Sequence, residues 1–305
     1  MASGTARRTI RSCSSQLLHA MWCSPTAAWR RGCRLYSPPA RHWSRSPARR
    51  SRHPWPWRTI QEHPLPEVLP GPQRRACLLL SAPREHTRTE PASPWPGAPD
   101  VDLSENQLGA VGAQAICAAL AVNPAIKKVQ LAGNGLEEQA AQYLAELLLA
   151  HTGLKSLDLS YNHLNDEAGE TLGPALAENT GLTELNISWN HLRGPGAIAF
   201  ARGLEANIFL RVLDISYNGF GDSGASAVGE ALRTNNVLEE LNMSNNRISM
   251  VGALSLGLGL RVNQTLRILV VSRNPLRSEG CLGILKSVQD NPMSALELLD
   301  FSGFA

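Results

Sequence analysis

The sequence predicts an α/β solenoid, with a curved parallel sheet inside, helices outside and about seven units of 28 residues. Three observations predict it. Asparagines stand at Asn106, Asn134, Asn162, Asn190, Asn218, Asn246 and Asn274, each 28 residues from the next. Ahead of each asparagine, apolar and polar residues alternate, the period of a half-buried strand. After it the apolar residues fall three and four apart, the period of an amphipathic helix.

The strand comes first in each unit. In the block LKSLDLSYN, Leu157 and Leu159 alternate with Asp158 and Ser160. The same frame gives Val129/Leu131, Leu185/Ile187, Leu213/Ile215, Leu241/Met243 and Leu269/Val271. Leu154, Leu182, Leu210, Leu238 and Leu266 precede the strands, and Leu108, Leu136, Leu164, Leu192, Phe220, Ile248 and Leu276 follow the asparagines and should point inward. The helix comes next. Ala113/Ile116/Leu120, Ala141/Leu144/Leu148, Ala197/Phe200/Leu204 and Ala225/Val228/Leu232 each make one helical face. A small residue precedes each face (Gly112, Ala140, Ala168, Gly196, Gly224, Gly252, Gly280) and should let helix and strand layers approach closely. Asn123, Asn179, Asn207, Asn235, Asn263 and Asn291 close the helices, where asparagine tolerates the left-handed conformation that ends many of them.

The unbroken asparagine register needs a cause. The residue sits where the chain leaves the strand and backbone groups lose their ladder partners. A buried amide both donates and accepts, so it can bond the turn backbone of its own unit and of the neighbouring one. These seven asparagines are therefore expected to be structural.

The stack has weak ends. The first unit has Val101 and Leu103, but Ala98 and Pro99 stand where later units carry Leu. Leu296, Leu299 and Phe301 begin an eighth strand displaced by two residues, and the sequence stops at Ala305. Solenoids need polar caps over their terminal units. The expectation is a repeat domain over residues 98–305, truncated at its C-terminus, as in an alternative isoform or fragment of a longer solenoid. Residues 62–83 could instead fold over the open end as an irregular cap.

Charge divides the chain at the same place. The net +3 averages two unlike parts. Residues 1–100 hold 16 Arg, no Lys and 5 acids, a balance of +11, while the remainder holds 13 basic and 21 acidic residues, a balance of −8. The first 61 residues have 12 Arg, no acid and much Ser and Pro. Residues 1–97 thus read as a basic Arg/Pro/Trp-rich segment, mostly disordered. Three readings compete for it: a leader without selected function, a mitochondrial presequence with Ile10, Cys13, Leu17 and Met21 on one helical face, and an RNA or membrane-surface tail in which Arg alternates with Trp43, Trp55 and Trp57. No stretch reaches the ~18 apolar residues that span a bilayer. The six cysteines show no zinc-like spacing, and Cys117 and Cys281 fall in distant units. A reduced, cytoplasmic protein is expected, with the mitochondrion as alternative.

The pattern LxxLxLSxNxLxxxGAxxLAxxL over residues 98–302 resembles the leucine-rich repeat superfamily in its ribonuclease-inhibitor-like class. Asn fills the family's Asn/Cys slot throughout, without the alternating Cys of ribonuclease inhibitor itself. The resemblance implies the solenoid fold and a non-catalytic, intracellular protein-interaction scaffold. The alternative it implies is a regulator of a catalytic partner, either an inhibitor or a GTPase activator.

A binding surface can be located within this frame. The residues just before the asparagines include Tyr161, Trp189 and Tyr217 in three consecutive units, and Trp189 is the one Trp after residue 100. Asp158, Asn186 and Asp214 flank them on the concave strand face, together with Ser160, Ser188 and Ser216. Aromatic anchors with polar edges suit a protein partner, and the acidic surroundings favour one with a basic surface. The alternative is that the rings merely stack on each other and shield the sheet. The same acidity disfavours nucleic acid on the repeats. No cofactor is implied. His163 and His191 occupy equivalent positions, but no further metal ligand is specified by spacing. There is no readable triad, and Gly257 and Gly259 are not followed by GK[ST], so no phosphate loop is formed. An enzyme is not expected.

Overall fold

The computed structural model describes residues 9–11 and 100–303. Within residues 100–303 the chain alternates strand and helix without exception. The strands are β2 (Asp100–Asp102), β3 (Lys128–Gln130), β4 (Ser156–Asp158), β5 (Glu184–Asn186), β6 (Val212–Asp214), β7 (Glu240–Asn242), β8 (Ile268–Val270) and β9 (Leu298–Asp300). The helices are α1 (Gly109–Ala121), α2 (Glu138–Ala150), α3 (Asp166–Glu178), α4 (Gly194–Ala206), α5 (Gly221–Thr234), α6 (Met250–Leu260) and α7 (Arg277–Asp290). All pairings are parallel, and each strand lies beside its sequence neighbour. A three-residue strand β1 (Thr9–Arg11) pairs parallel with the outer edge of β9.

The register follows the repeat. Leu157 pairs with Leu185, which pairs with Leu213, each step being 28 residues. The last step is 30, Leu269 pairing with Leu299, so the displacement by two residues is real and is absorbed between α7 and β9. The predicted solenoid is thus borne out. The core is one continuous layer in which Leu157, Leu185, Leu213 and Leu241 of the strands meet Ile116, Leu144, Phe200 and Val228 of the helices, all buried. It is looser at the start, where Val101 and Leu103 are each 6% exposed against 1% for Leu157 and Leu159. Cys117 lies in this core, and burial pushes its thiol up to about 12, with Glu146 adding to the rise.

From Asn134 onward each asparagine side chain spans two units, whereas Asn106 Nδ2 bonds the Leu103 and Ser104 carbonyls of its own. Asn162 donates through Nδ2 to the Leu131, Leu159 and Ser160 carbonyls, and its Oδ1 accepts from the Asn134 and Leu136 N–H groups at 2.9 and 3.1 Å. Asn190 and Asn218 bond their equivalents in the same way, through Leu164 N–H and Leu192 N–H. Asn134, Asn246 and Asn274 are also buried, whereas Asn106, in the first unit, is only partly so. These amides satisfy backbone groups at the point where the chain leaves the strand.

Two local expectations are corrected. The asparagines after the helices are not left-handed caps: Asn179, Asn207 and Asn235 have φ of −66°, −74° and −70°. They form a second buried ladder at the opposite, N-terminal end of the strands. Asn207 Nδ2 donates to the Leu176 and Asn179 carbonyls, and Asn207 Oδ1 accepts from Phe209 and Leu210 N–H. His151 takes the same place in its unit, with Nδ1 accepting from Leu154 N–H and Nε2 facing the Asn123 carbonyl at 3.0 Å. A ring nitrogen that accepts is unprotonated, so the proton sits on Nε2 and donates to Asn123. An imidazole thereby reproduces both functions of the amide.

Gly112 and Gly224 lie against the inward side chains of Leu108 and Phe220 in their own units, whereas other small helical residues bring helix against helix, not helix against strand. A Cβ on Gly196 would meet the Asp166 backbone, one on Gly203 the Gly173 carbonyl, and one on Gly259 the Gly229 carbonyl. Successive helices are spaced by the strand ladder beneath them, so backbones touch where side chains are absent. This accounts for Gly259 in the glycine-rich α6.

The remaining expectations for residues 1–97, including disorder, the irregular cap at 62–83 and the helical face of Cys13, Leu17 and Met21, lie outside the described residues. Ile10 of that face is in β1, which is extended and not helical. Among the described residues no helix is long and apolar enough to cross a membrane.

Candidate functional site

After each strand the chain runs two more residues and turns at the one before the asparagine. That residue has positive φ in every unit: Glu105 59°, Gly133 64°, Tyr161 55°, Trp189 55°, Tyr217 53°, Asn245 51° and Arg273 55°. The left-handed region suits Gly and, less well, Asn. For other residues it costs about 1–2 kcal/mol. The parallel ladder enforces it, since Tyr161, Trp189 and Tyr217 donate their N–H groups to the Ser188, Ser216 and Ser244 carbonyls of the next unit at 3.0, 3.0 and 2.8 Å.

Equal backbone conformations send equal side-chain directions. The three rings form one stack: Tyr161 and Trp189 have centroids 5.1 Å apart and planes 12° apart, and Trp189 and Tyr217 are at 3.9 Å and 9°. They stay accessible, with Tyr161 59% and Trp189 43% exposed, while Tyr217 is half-buried. Arg273, two units further, donates from Nη1 to the Tyr217 hydroxyl at 2.6 Å. His163 and His191 stack in a parallel, exposed pair at 5.6 Å. No group of three or more metal-ligating side chains occurs among the described residues.

Asp158, Asn186 and Asp214 are half-buried on the open face of the sheet, and each commits Oδ1 to the N–H of the serine two residues on, at 2.9, 3.0 and 2.8 Å. They therefore hold the chain that presents the rings. In the first unit this geometry keeps the Asp102 carboxyl below its ordinary value, through the Ser104 backbone N–H first, then its side chain, with Lys128 adding. Asn242 donates to Asp214 Oδ2 at 2.9 Å, linking two units across the face. Ser160, Ser188 and Ser216, expected to be on the concave surface, are buried at 4–6% exposure. The strands are only three residues long, and the chain bends away before the serine.

The open face is acidic through most of its length: Asp100, Asp102, Asp158, Glu184, Asp214, Glu240 and Asp300 stand on the strands against Lys128. Towards the end of the stack it turns apolar, with Ile268, Val270 and Leu298 half-buried in adjacent strands.

Sequence reasoning located the aromatic row but missed its backbone state. Gly133 and Asn245 were the signal, being the residue types that reach positive φ most readily at a position otherwise occupied by Tyr, Trp and Arg.

The family model described as "Leucine Rich repeat" matches residues 100–117, 151–173, 178–201, 206–229, 234–257 and 262–285. The unit that carries Gly133 falls outside these matches. No curated protein matches the chain. Among solved structures, the leiomodin-1 actin-binding site 2 shares 17% identity over 57% of this chain and 86% of its own, with a TM-score of 0.39. An internalin (inlF) of Listeria monocytogenes shares 17% identity over 60% of this chain and 50% of its own, also at 0.39. The matched repeats, on a parallel sheet backed by helices, make the described region a leucine-rich repeat solenoid.

Proposed function

We propose that the chain is a non-catalytic scaffold that binds a partner protein on the open face of its sheet, with Tyr161, Trp189 and Tyr217 as anchors and Asp158, Asn186 and Asp214 as the polar edge. One observation carries this reading. Three large aromatic residues are held at positive φ in a row where glycine would be easier, two of them exposed and Tyr217 half-buried. Stacking between neighbouring rings is worth about 0.5–1.5 kcal/mol per pair, close to the conformational cost, so folding gains little from them. Rigid, exposed rings cost little entropy when a partner covers them, which is what an interface anchor needs. The acidic strands favour a partner with a basic surface. The segments LDISYNGFGDSGASAVGEAL, LEELNMSNNRIS and LRILVVSRNPLRSEG resemble leucine-rich repeat-containing protein 74 in its B form, a resemblance that fits an intracellular scaffold.

Pull-down with wild-type protein and with the Trp189→Ala/Tyr217→Ala double variant tests this. Proteins captured by the wild type are expected to be lost from a variant whose circular dichroism is unchanged. An identical captured set from the folded variant overturns the reading.

A further inference from the structure

Between Glu105 and Arg273 the row of positions that presents the rings has one gap. Glu105, Gly133, Tyr161, Trp189, Tyr217, Asn245 and Arg273 leave the backbone at the same height, each fixed by a hydrogen bond to the next unit. Adjacent places are one strand spacing apart, ~4.8 Å, which is room for one flat group per unit. Trp189 and Tyr217 use that room fully, as their 3.9 Å centroid separation shows. At Gly133 the place is empty of side chain.

The gap has two unlike walls. On one side is Tyr161, whose ring stacks, among the described residues, on Trp189 alone and is the more exposed of the two. On the other side is Glu105, exposed, with Cγ only 3.3 Å from where a Cβ of Gly133 would stand. The two backbone positions are two strand spacings apart, ~10 Å, and the Glu105 side chain leans towards the Gly133 place, so one planar group entering there meets the Tyr161 ring on one side and the Glu105 chain on the other. The gap thus offers an aromatic face, a carboxylate and a floor of bare backbone.

We propose that this gap is a slot for an arginine side chain of the partner. The guanidinium is planar, so it completes the stack as the next plate on Tyr161. It is always charged, so it pairs with Glu105, and its flat edge can approach the backbone of Gly133. Lysine carries the charge without the plane, and an aromatic ring carries the plane without the charge. The far end of the row supplies an internal counterpart: there Arg273 of the chain itself reaches back to the Tyr217 hydroxyl. The Tyr161 end has the tyrosine and an added carboxylate, and the arginine comes from outside. The neighbouring Asp102 and Asp158 add attraction, partly offset by Lys128. This rests on the reading of the open face as a partner surface and names what the partner must contribute.

The slot is tested on the full chain with ring-13C-labelled tyrosine, titrated at low salt with the blocked tripeptide acetyl-Gly-Arg-Gly-amide and its Lys and Phe counterparts. Tyr161 signals are assigned with Tyr161→Phe. The arginine peptide is expected to shift Tyr161 saturably and leave Tyr143 unmoved, and the Lys and Phe peptides to bind at least about fivefold more weakly. Glu105→Gln should weaken the arginine peptide about fivefold. Gly133→Trp should abolish the response, with Tyr143 signals reporting that the fold persists. Equal response to all three peptides, no shift at Tyr161, or indifference to Glu105→Gln overturns the slot. If these fail while Trp189→Ala/Tyr217→Ala still loses its captured partner, the row binds without an arginine there, and only the slot falls.

Discussion

Trp189 and Asn190 are neighbours in sequence and opposites in physics. Asn190 is 3% exposed, and its amide bonds three carbonyls and one N–H across two units. Trp189 is 43% exposed and sits in a conformation that disfavours it. The first position holds the same residue type in all seven units because every unit must solve the same backbone problem. The second holds Glu, Gly, Tyr, Trp, Tyr, Asn and Arg: its positive φ favours Gly and Asn and costs the others about 1–2 kcal/mol each, without choosing among them. Where the fold is indifferent, selection for binding has room to act.

Breaking the first position should have the largest effect. Asn190→Ala strands buried carbonyls and the Leu164 N–H, and should lower unfolding free energy by about 3 kcal/mol or more in urea titrations. A loss under about 1 kcal/mol would mean that water takes over the amide's role. Next comes the helix seam. Gly203→Ala drives a methyl into the Gly173 carbonyl and should cost about 2 kcal/mol, whereas Gly135→Ala, which meets nothing within 4 Å, should cost only its backbone strain, about 1 kcal/mol. Equal losses for the two would show that the helices have slack to separate.

The second ladder gives a smaller effect. His151→Asn restores the residue found in the other units and should leave stability within about 1 kcal/mol, while His151→Ala should lose about 2 kcal/mol by leaving Leu154 N–H and the Asn123 carbonyl unpaired. Thermal melts of the two variants decide between a general ladder and a contact specific to histidine. Smallest is the aromatic position itself. Trp189→Gly loses two stacking contacts but relieves the left-handed strain, so its melting temperature should shift by no more than a few degrees.

The solenoid and its register were legible because the chain repeats the same physical problem: alternation fixes strands, a period of three and four fixes helices, and the 28-residue step fixes how they align. Even the displaced last strand at Leu296, Leu299 and Phe301 could be read. What escaped were features that one sequence pattern leaves degenerate. Asparagine after a helix serves equally as a left-handed cap or as a buried amide ladder, and only His151, which makes the same bonds with a ring, points to the ladder. Glycine before the apolar face reads as contact with the strand layer, since the separation of adjacent helices is set by strands elsewhere in the sequence. The aromatic row was visible as composition, but its positive φ was hidden because Tyr and Trp are poor markers of that conformation. The burial of Ser160, Ser188 and Ser216 was missed because alternation was extended past three-residue strands.

The central claim is that the aromatic row serves binding and contributes little to folding. Urea unfolding of the full chain carrying Trp189→Gly and Tyr217→Gly, against wild type, tests it most directly. The account predicts midpoints that differ by no more than about 1 kcal/mol of stability, because lost stacking and relieved strain offset each other. A loss of about 3 kcal/mol or more would place the rings among the residues that hold the solenoid together and would contradict the claim.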